Sequence, residues 1–255
     1  MSLENKSFVV FGAASGLGQA TATALMERGA NVTVSDRTAH GLDTLESGFG
    51  PKCTLAIADV LDEGQVGNVL AAASSRFGRI DGVITTAGIL HGEKILGKSG
   101  AHALSSFERV VSVNLTGSFN VLRLAADAMS HNEPGPDGER GVIVHTASIA
   151  AFDGQVGQVA YAASKAAVAG MVLPAARELA RCGIRVVAIA PGLFGTPMVA
   201  GLSGEVKVAL EELVPFPSRL GDPAEYAALA CHVIENRMLN GTTIRLDGAL
   251  RMPPR

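Results

Sequence analysis

Seven short apolar runs, several rich in Val and Ile, recur along the chain and are separated by longer stretches with helical periodicity. They fall at Phe8–Phe11, Asn31–Ser35, Thr54–Ala58, Gly82–Thr85, Val142–Thr146, Ile184–Ile189 and Thr242–Leu246. Several are continuous rather than alternating, the pattern of strands buried on both faces. Amphipathic stretches fill most of the gaps. Leu17–Arg28 is stopped by Gly29, and Glu108–Met129 carries Val110, Val113, Phe119 and Leu122 as apolar positions. Strands alternating with helices predict one α/β domain over residues 1–255, a doubly wound, mostly parallel seven-stranded sheet flanked by helices. A chain of 255 residues, 47% hydrophobic and 18% charged, can cover both faces of such a sheet.

In an open sheet of this kind, ligands bind beyond the carboxyl ends of the strands, where the strand order reverses. The first apolar run leads directly into Gly12-Ala-Ala-Ser15-Gly16-Leu17-Gly18 and then into an Ala-rich helix. Glycine lets the backbone turn sharply and approach phosphate oxygens, and a helix N-terminus adds partial positive charge. This predicts a Rossmann fold with a dinucleotide's pyrophosphate seated on Gly12, Ser15, Gly16, Leu17 and Gly18. Asp36 ends the second strand, eighteen residues after Gly18. A carboxylate there accepts hydrogen bonds from the adenosine ribose hydroxyls and repels a 2′-phosphate, which favours NAD over NADP. Arg37 beside it pulls the other way, and a plain strand-end turn also uses aspartate. Asp59-Val60 closes the third strand, where an aspartate can bind the adenine amino group. Thr86-Ala87-Gly88 closes the fourth with a small-residue turn against which adenosine can lie.

Tyr161 and Lys165 stand four apart, and Ser148 lies thirteen residues before Tyr161. Positions four apart on a helix share a face, so phenol and ammonium are aimed at one point. An ammonium beside a phenol favours the phenolate and lowers a pKa that is ordinarily about 10. A tyrosine tuned in this way can act as a base near neutral pH. With the glycine loop, these residues read as hydride transfer between a nicotinamide and an alcohol. Taken singly, each has a plainer use: a helical Tyr-x-x-x-Lys is often structural, Ser148 can cap Ile149–Ala151, and Asn114 can satisfy a helix kink. Together and in register they describe an active site.

Gly12-x-x-x-Gly16-x-Gly18, Ala87-Gly88, Asn114, Ser148, Tyr161-x-x-x-Lys165 and Pro191-Gly192 have the order and spacing of the short-chain dehydrogenase/reductase superfamily, which the chain resembles over essentially its whole length. The strings 154–158, 190–197, 214–226 and 244–249 are similar to its branch of 3-hydroxyacyl-CoA and 17β-hydroxysteroid dehydrogenases. The resemblance implies Tyr161 as base, Lys165 on the nicotinamide ribose and Ser148 as donor to the substrate oxygen. It implies a water held by Asn114 in a proton relay through Lys165, and Pro191, Phe194 and Thr196 at the nicotinamide end, with Thr196 on the carboxamide. It also implies a small-molecule substrate, (S)-3-hydroxyacyl-CoA or a steroid-like alcohol, and a homotetramer assembled through two long helices. Two departures stand out: Phe11 where many members have threonine, and Thr85-Thr86 in place of Asn-Asn. Both concern the adenosine scaffold and leave the chemistry untouched. A 3-oxoacyl-acyl-carrier-protein reductase, usually NADPH-linked, is the alternative enzyme. A non-catalytic NAD-binding assembly or sensor protein is the alternative of another class.

The segments His91–Ser105 and Gly192–Arg219 follow strand ends and are expected to border the substrate, with Phe194, Met198, Val199 and Leu202 as apolar contacts. His131–Gly141 is turn chemistry throughout. A net charge of −3 with no basic run gives no reason to expect nucleic acid or an anionic membrane surface as partner. No apolar stretch is expected to reach the roughly 20 residues that span a bilayer. The N-terminus runs straight into the first strand, so no targeting segment is expected. Cys53, Cys182 and Cys231 lack a Cys-x-x-Cys pairing and read as reduced, buried thiols of a cytoplasmic protein. The six histidines lack ligand spacing, so no metal site is predicted.

Overall fold

Each of the seven apolar runs is a strand in the computed structural model, which describes residues 3–98, 100–200 and 204–254, without the side chains of Met198 and Ala200. These strands are β1 (Ser7–Phe11), β2 (Asn31–Asp36), β3 (Cys53–Ile57), β4 (Gly82–Thr85), β7 (Gly141–Thr146), β8 (Ile184–Pro191) and β9 (Thr243–Leu246). A two-stranded hairpin, β5 (Leu96–Gly97) and β6 (Gly100–Ala101), is inserted after β4. The seven pair in parallel in the order β3-β2-β1-β4-β7-β8-β9. Every residue of β1, β4, β7 and β8 is buried, which is why those runs carry no polar alternation.

Two helical layers cover the sheet. In β1, Phe8 and Val10 point to one core, where α1 (Gly16–Glu27), α2 (Leu42–Phe49) and α9 (Pro223–Glu235) supply Leu25, Leu42 and Tyr226. Val9 and Phe11 point to the other, where α3 (Glu63–Phe77), α5 (Gly117–Ser130) and α6 (Val159–Leu179) supply Val69, Leu122 and Val168. The period-two alternation of a strand is thus spent on two apolar faces. Arg185 of β8 ties the C-terminal end of α9 to the sheet. Its guanidinium donates to the carbonyls of Val233, Ile234, Asn236 and Leu239 and pairs with buried Glu139 at 2.7 Å. Those carbonyls include ones a helix end leaves without partners, and a cation is favoured there.

Three expectations need correction. The stretch Glu108–Met129 is not one regular helix: α4 (Leu104–Val111) and α5 are joined by a π-helical turn, Ser112–Thr116, and Phe119 is 53% exposed. Val159–Cys182, 24 residues with a mean hydropathy of 1.4, is long and apolar enough to cross a membrane. Its apolarity has another use here, since Val168, Val172 and Ala176 pack in the core and Lys165 is buried in its first half. Cys53 and Cys231 are buried, and burial raises both thiols to about 11, but Cys182 is half-buried at the end of α6.

The strand order reverses beside β1. Its neighbours β2 and β4 lead away in opposite directions, leaving a crevice at their carboxyl ends. A cleft of ≈ 590 Å³ occupies this crevice.

Candidate active site

At one end of the cleft, the loop after β1 leaves no room for side chains. Gly12 has φ +85°, and a Cβ there would lie 2.5 Å from the amide nitrogen of Ala87. A Cβ on Gly18 would lie 2.1 Å from the Gly12 carbonyl oxygen. Such contacts admit only glycine. Ser15 precedes α1 in an extended conformation and makes no side-chain cap, and no acidic residue stands in the first turn. Among the described residues no side chain caps the first amides of α1, which border the cleft, as an anion seat requires. Thr86 closes the cradle by donating to the carbonyls of Phe11 (2.9 Å) and Gly12 (3.1 Å). The Thr-for-Asn departure is thus a local clamp on the end of β1.

Asp36 stands half-buried at the end of β2 on the cleft wall. Its carboxylate accepts from the amides of Ala14 (3.2 Å) and Arg37 (2.7 Å), which fix it against the glycine loop. Asp59 lines the cleft beyond it and accepts from the amide of Leu61 at 2.9 Å. Val60 is buried on the wall against Gly117, where a Cβ would meet its side chain at 2.5 Å. A cradle that a Cβ would fill, a bare helix N-terminus and an acidic strand end fit a dinucleotide.

At the other end, Ser148, Tyr161 and Lys165 line the same cleft. Ser148 follows β7 and its oxygen accepts from the amide of Ala150 at 3.1 Å, so it is a cap as well as a cleft residue. Tyr161 and Lys165 lie on one face of α6, with the Lys165 Nζ 5.8 Å from the tyrosine ring centroid. Lys165 is 4% exposed and donates to the Thr146 carbonyl at 2.7 Å. The other tyrosine, Tyr226, is a core residue whose hydroxyl is bound to the Thr146 hydroxyl at 2.7 Å.

Electrostatics depart from the sequence expectation here. Burial raises the Tyr161 hydroxyl above the ordinary phenol value, and a hydrogen bond with Ser148 offsets part of that rise. The Lys165 ammonium is turned to the Thr146 carbonyl rather than held on the phenol oxygen. Burial brings Lys165 itself down to about 8. His145, between Val144 and Thr146, has neither ring nitrogen partnered; burial and then the Lys165 charge lower it to about 4.

Asn114 sits in the π-helical turn and is fully buried. Its side chain accepts from the amide of Ile89 (2.8 Å) and donates to the Ile89 carbonyl (2.9 Å) and the Ser164 hydroxyl (3.0 Å). It therefore pins the segment after β4 to α6. Gly88 makes this possible, since a Cβ there would lie 3.1 Å from the Asn114 oxygen and 3.4 Å from the Lys165 nitrogen. Such π-helical turns often mark functional positions.

Pro191, Phe194 and Thr196 all border the cleft, with Thr196 against Gly16. The Phe194 ring is committed to the core, however. It is 7% exposed, packs edge-on against Tyr226 at 6.5 Å and lies over Gly221, so it offers a substrate little surface. Val199 lines the cleft; Leu202 falls outside the described residues. The segment 91–105, expected at the cleft, contributes none of its described residues there. Glu93 to Leu96 line a second groove against Gly154–Ala162, where Glu93 accepts from the amide of Ala103 and pairs with His91. Sequence reasoning did not single out Gln155, Gln158, Ile149, Leu210 or Met252, all of which line the cleft. The glutamines six and three residues before Tyr161 are the one readable signal.

The family model for short chain dehydrogenases matches residues 6–207. The chain is 52% identical over 248 residues to "3-hydroxyacyl-CoA dehydrogenase type-2" of Homo sapiens, covering 96% of this chain and 95% of the relative. It has the same identity and coverage with the Bos taurus protein of that name. The crystal structure of 3-hydroxyacyl-CoA dehydrogenase type-2 from Mycobacterium avium matches with a TM-score of 0.94 at 36% identity, covering 98% of this chain and 97% of that chain. The chain belongs to the short-chain dehydrogenase family. It is an oxidoreductase with a nicotinamide coenzyme.

Proposed function

We propose that this short-chain dehydrogenase interconverts (S)-3-hydroxyacyl-CoA and 3-ketoacyl-CoA, with NAD rather than NADP as coenzyme. The observation that carries the reading is one cleft with Ser148, Tyr161 and Lys165 at one end and Asp36 beside a glycine cradle at the other. The activity named for relatives about half identical over nearly the whole chain supports the substrate. Gly12, Gly18, the first turn of α1 and Asp36 would hold the dinucleotide, and Pro191 and Thr196 its nicotinamide end. When bound, the coenzyme supplies the hydride donor or acceptor.

The chain's own residues supply the proton and the orientation. In the reductive direction Tyr161, kept protonated by burial, gives its hydroxyl proton to the ketone oxygen as the substrate carbon takes up hydride. Ser148 donates a hydrogen bond to the same oxygen and stabilises the charge developing there. In the oxidative direction Tyr161 acts as phenolate, and Lys165, charged below about 8, stabilises that anion. Asn114 holds the Ile89 segment and α6 together at this point. The test is NADH-linked reduction of acetoacetyl-CoA by the purified protein. Turnover should fall by at least about 1000-fold in Tyr161→Phe; wild-type turnover no faster than that variant would refute the reading.

We further infer a cytoplasmic homotetramer. Phe119 of α5 and Leu173 of α6, 53% and 44% exposed, give the long helices an apolar outer surface for a second copy. Three free cysteines suit a reducing compartment. Light scattering that reports a monomer at micromolar concentration would exclude the assembly.

A further inference from the structure

A third, smaller apolar cluster lies apart from the two cores of the sheet. Ile149, Val214 and Leu250 are its buried members, and Leu193 and Met252 pack against it. It gathers the residue that follows Ser148, the end of the segment that carries α7 (Pro197–Ala200) and α8 (Gly204–Glu212), and the C-terminal tail after β9.

The tail is held there by several independent contacts. Gly248 and Ala249 both adopt left-handed backbone angles, φ +57° and +66°, so the chain is bent back sharply after β9. A non-glycine residue in that region is strained and persists only where the surroundings impose it. A Cβ on Gly248 would lie 2.6 Å from Val214, which shows how closely the bend is packed. Arg245 braces the bend by pairing with Asp247 (2.6 Å) and Asp153 (2.5 Å) and donating to the Leu250 carbonyl (3.0 Å). Further on, the amide of Val156 donates to the Pro254 carbonyl (3.0 Å) and Gln155 donates to that of Pro253 (3.1 Å). Among the described residues of the tail, Met252 lines the cleft.

We propose that this tail is a wall of the substrate end of the cleft, and that Met252 sets how long or bulky an acyl group the enzyme accepts. The proposal rests on the reading above. The cluster around Met252 is apolar, which suits the alkyl end of a ketoacyl-CoA and not its polar coenzyme-A end. A flexible thioether at such a position yields or resists according to the chain presented to it.

The experiment compares kcat/KM for acetoacetyl-CoA and for 3-ketooctanoyl-CoA, with NADH, in the wild type, Met252→Ala and Met252→Phe. Removing or adding a few carbons of wall is worth about 10-fold or more in discrimination. Met252→Ala should raise the long-to-short ratio by about 10-fold and Met252→Phe should lower it, with the KM for NADH unchanged in both. Met252→Phe fills rather than empties the site, so the comparison survives if the alanine variant unfolds. A ratio that stays within twofold in folded variants, beside normal wild-type turnover, overturns the tail's role and leaves the proposed reaction standing. Absence of wild-type turnover with both substrates overturns the reaction and the tail's role together.

Discussion

Replacing Asp36 by asparagine removes a charge while keeping an oxygen in place. In the structure the Asp36 carboxylate accepts from the amides of Ala14 and Arg37 at 3.2 and 2.7 Å, and an amide oxygen can keep either bond. The variant therefore removes the charge and one of these two bonds, and the coenzyme ratio separates the effects because loss of the loop bond weakens NADH and NADPH alike. Charge-assisted hydrogen bonds to ribose hydroxyls contribute about 1.5–3 kcal/mol, so kcat/KM for NADH should fall by roughly 10-fold or more. For NADPH the change has the opposite sign. A 2′-phosphate beside a carboxylate at about 4 Å is repelled by about 1 kcal/mol per unit charge in water and by up to about 4 near a protein surface. Asp36 is half-buried and partly screened, so about 1–2 kcal/mol is the fitting end of that range. The two terms give about 3 kcal/mol, a shift of about 100-fold in the NADH-to-NADPH ratio. Initial rates with each coenzyme at fixed acetoacetyl-CoA read it directly. A ratio that moves less than threefold, or an equal loss with both coenzymes, would mean that Asp36 only shapes the loop.

Gly18→Ala places a methyl 2.1 Å from the Gly12 carbonyl oxygen and 2.5 Å from the Thr86 hydroxyl, so NADH affinity by fluorescence titration should weaken by about 100-fold or more; affinity within threefold of wild type would disprove the close-packed cradle. Arg185→Met strips Glu139 of its buried partner and removes the guanidinium donor from the carbonyls of Val233, Ile234 and Leu239 at and beyond the end of α9. Urea unfolding should show a loss of about 3–5 kcal/mol, and a loss below about 1 would contradict the tie drawn here. His145 is lowered from 6.5 to about 4, so the unfolded chain takes up its proton first as pH falls. Its contribution is complete above pH 6.5 and is lost between 6.5 and about 4, a total of about 3 kcal/mol. His145→Asn should flatten that part of the stability–pH curve, whereas parallel curves for variant and wild type would rule the linkage out.

Much of this protein was legible in its sequence because the relevant distances are covalent or local. Strand positions followed from runs of apolar residues, since a strand buried on both faces admits nothing else. The glycine loop was readable because its constraint is one of missing side-chain volume. Tyr161 and Lys165 were readable because four residues of helix put two side chains on one face. What the tertiary structure decided involves groups far apart in the chain. The direction of the Lys165 ammonium depends on a carbonyl at Thr146, nineteen residues earlier. The π-helical turn at Asn114 answers to Ile89 and Ser164, and the Phe194 ring turns inward because Tyr226 and Gly221 make a place for it. Glu93 to Leu96 lie on the second groove, and the C-terminal tail reaches the cleft through contacts with residues about 98 positions away. Local patterning specifies elements and side-chain faces; which partner each face meets is fixed only when packing and hydrogen bonding are satisfied across the whole molecule at once.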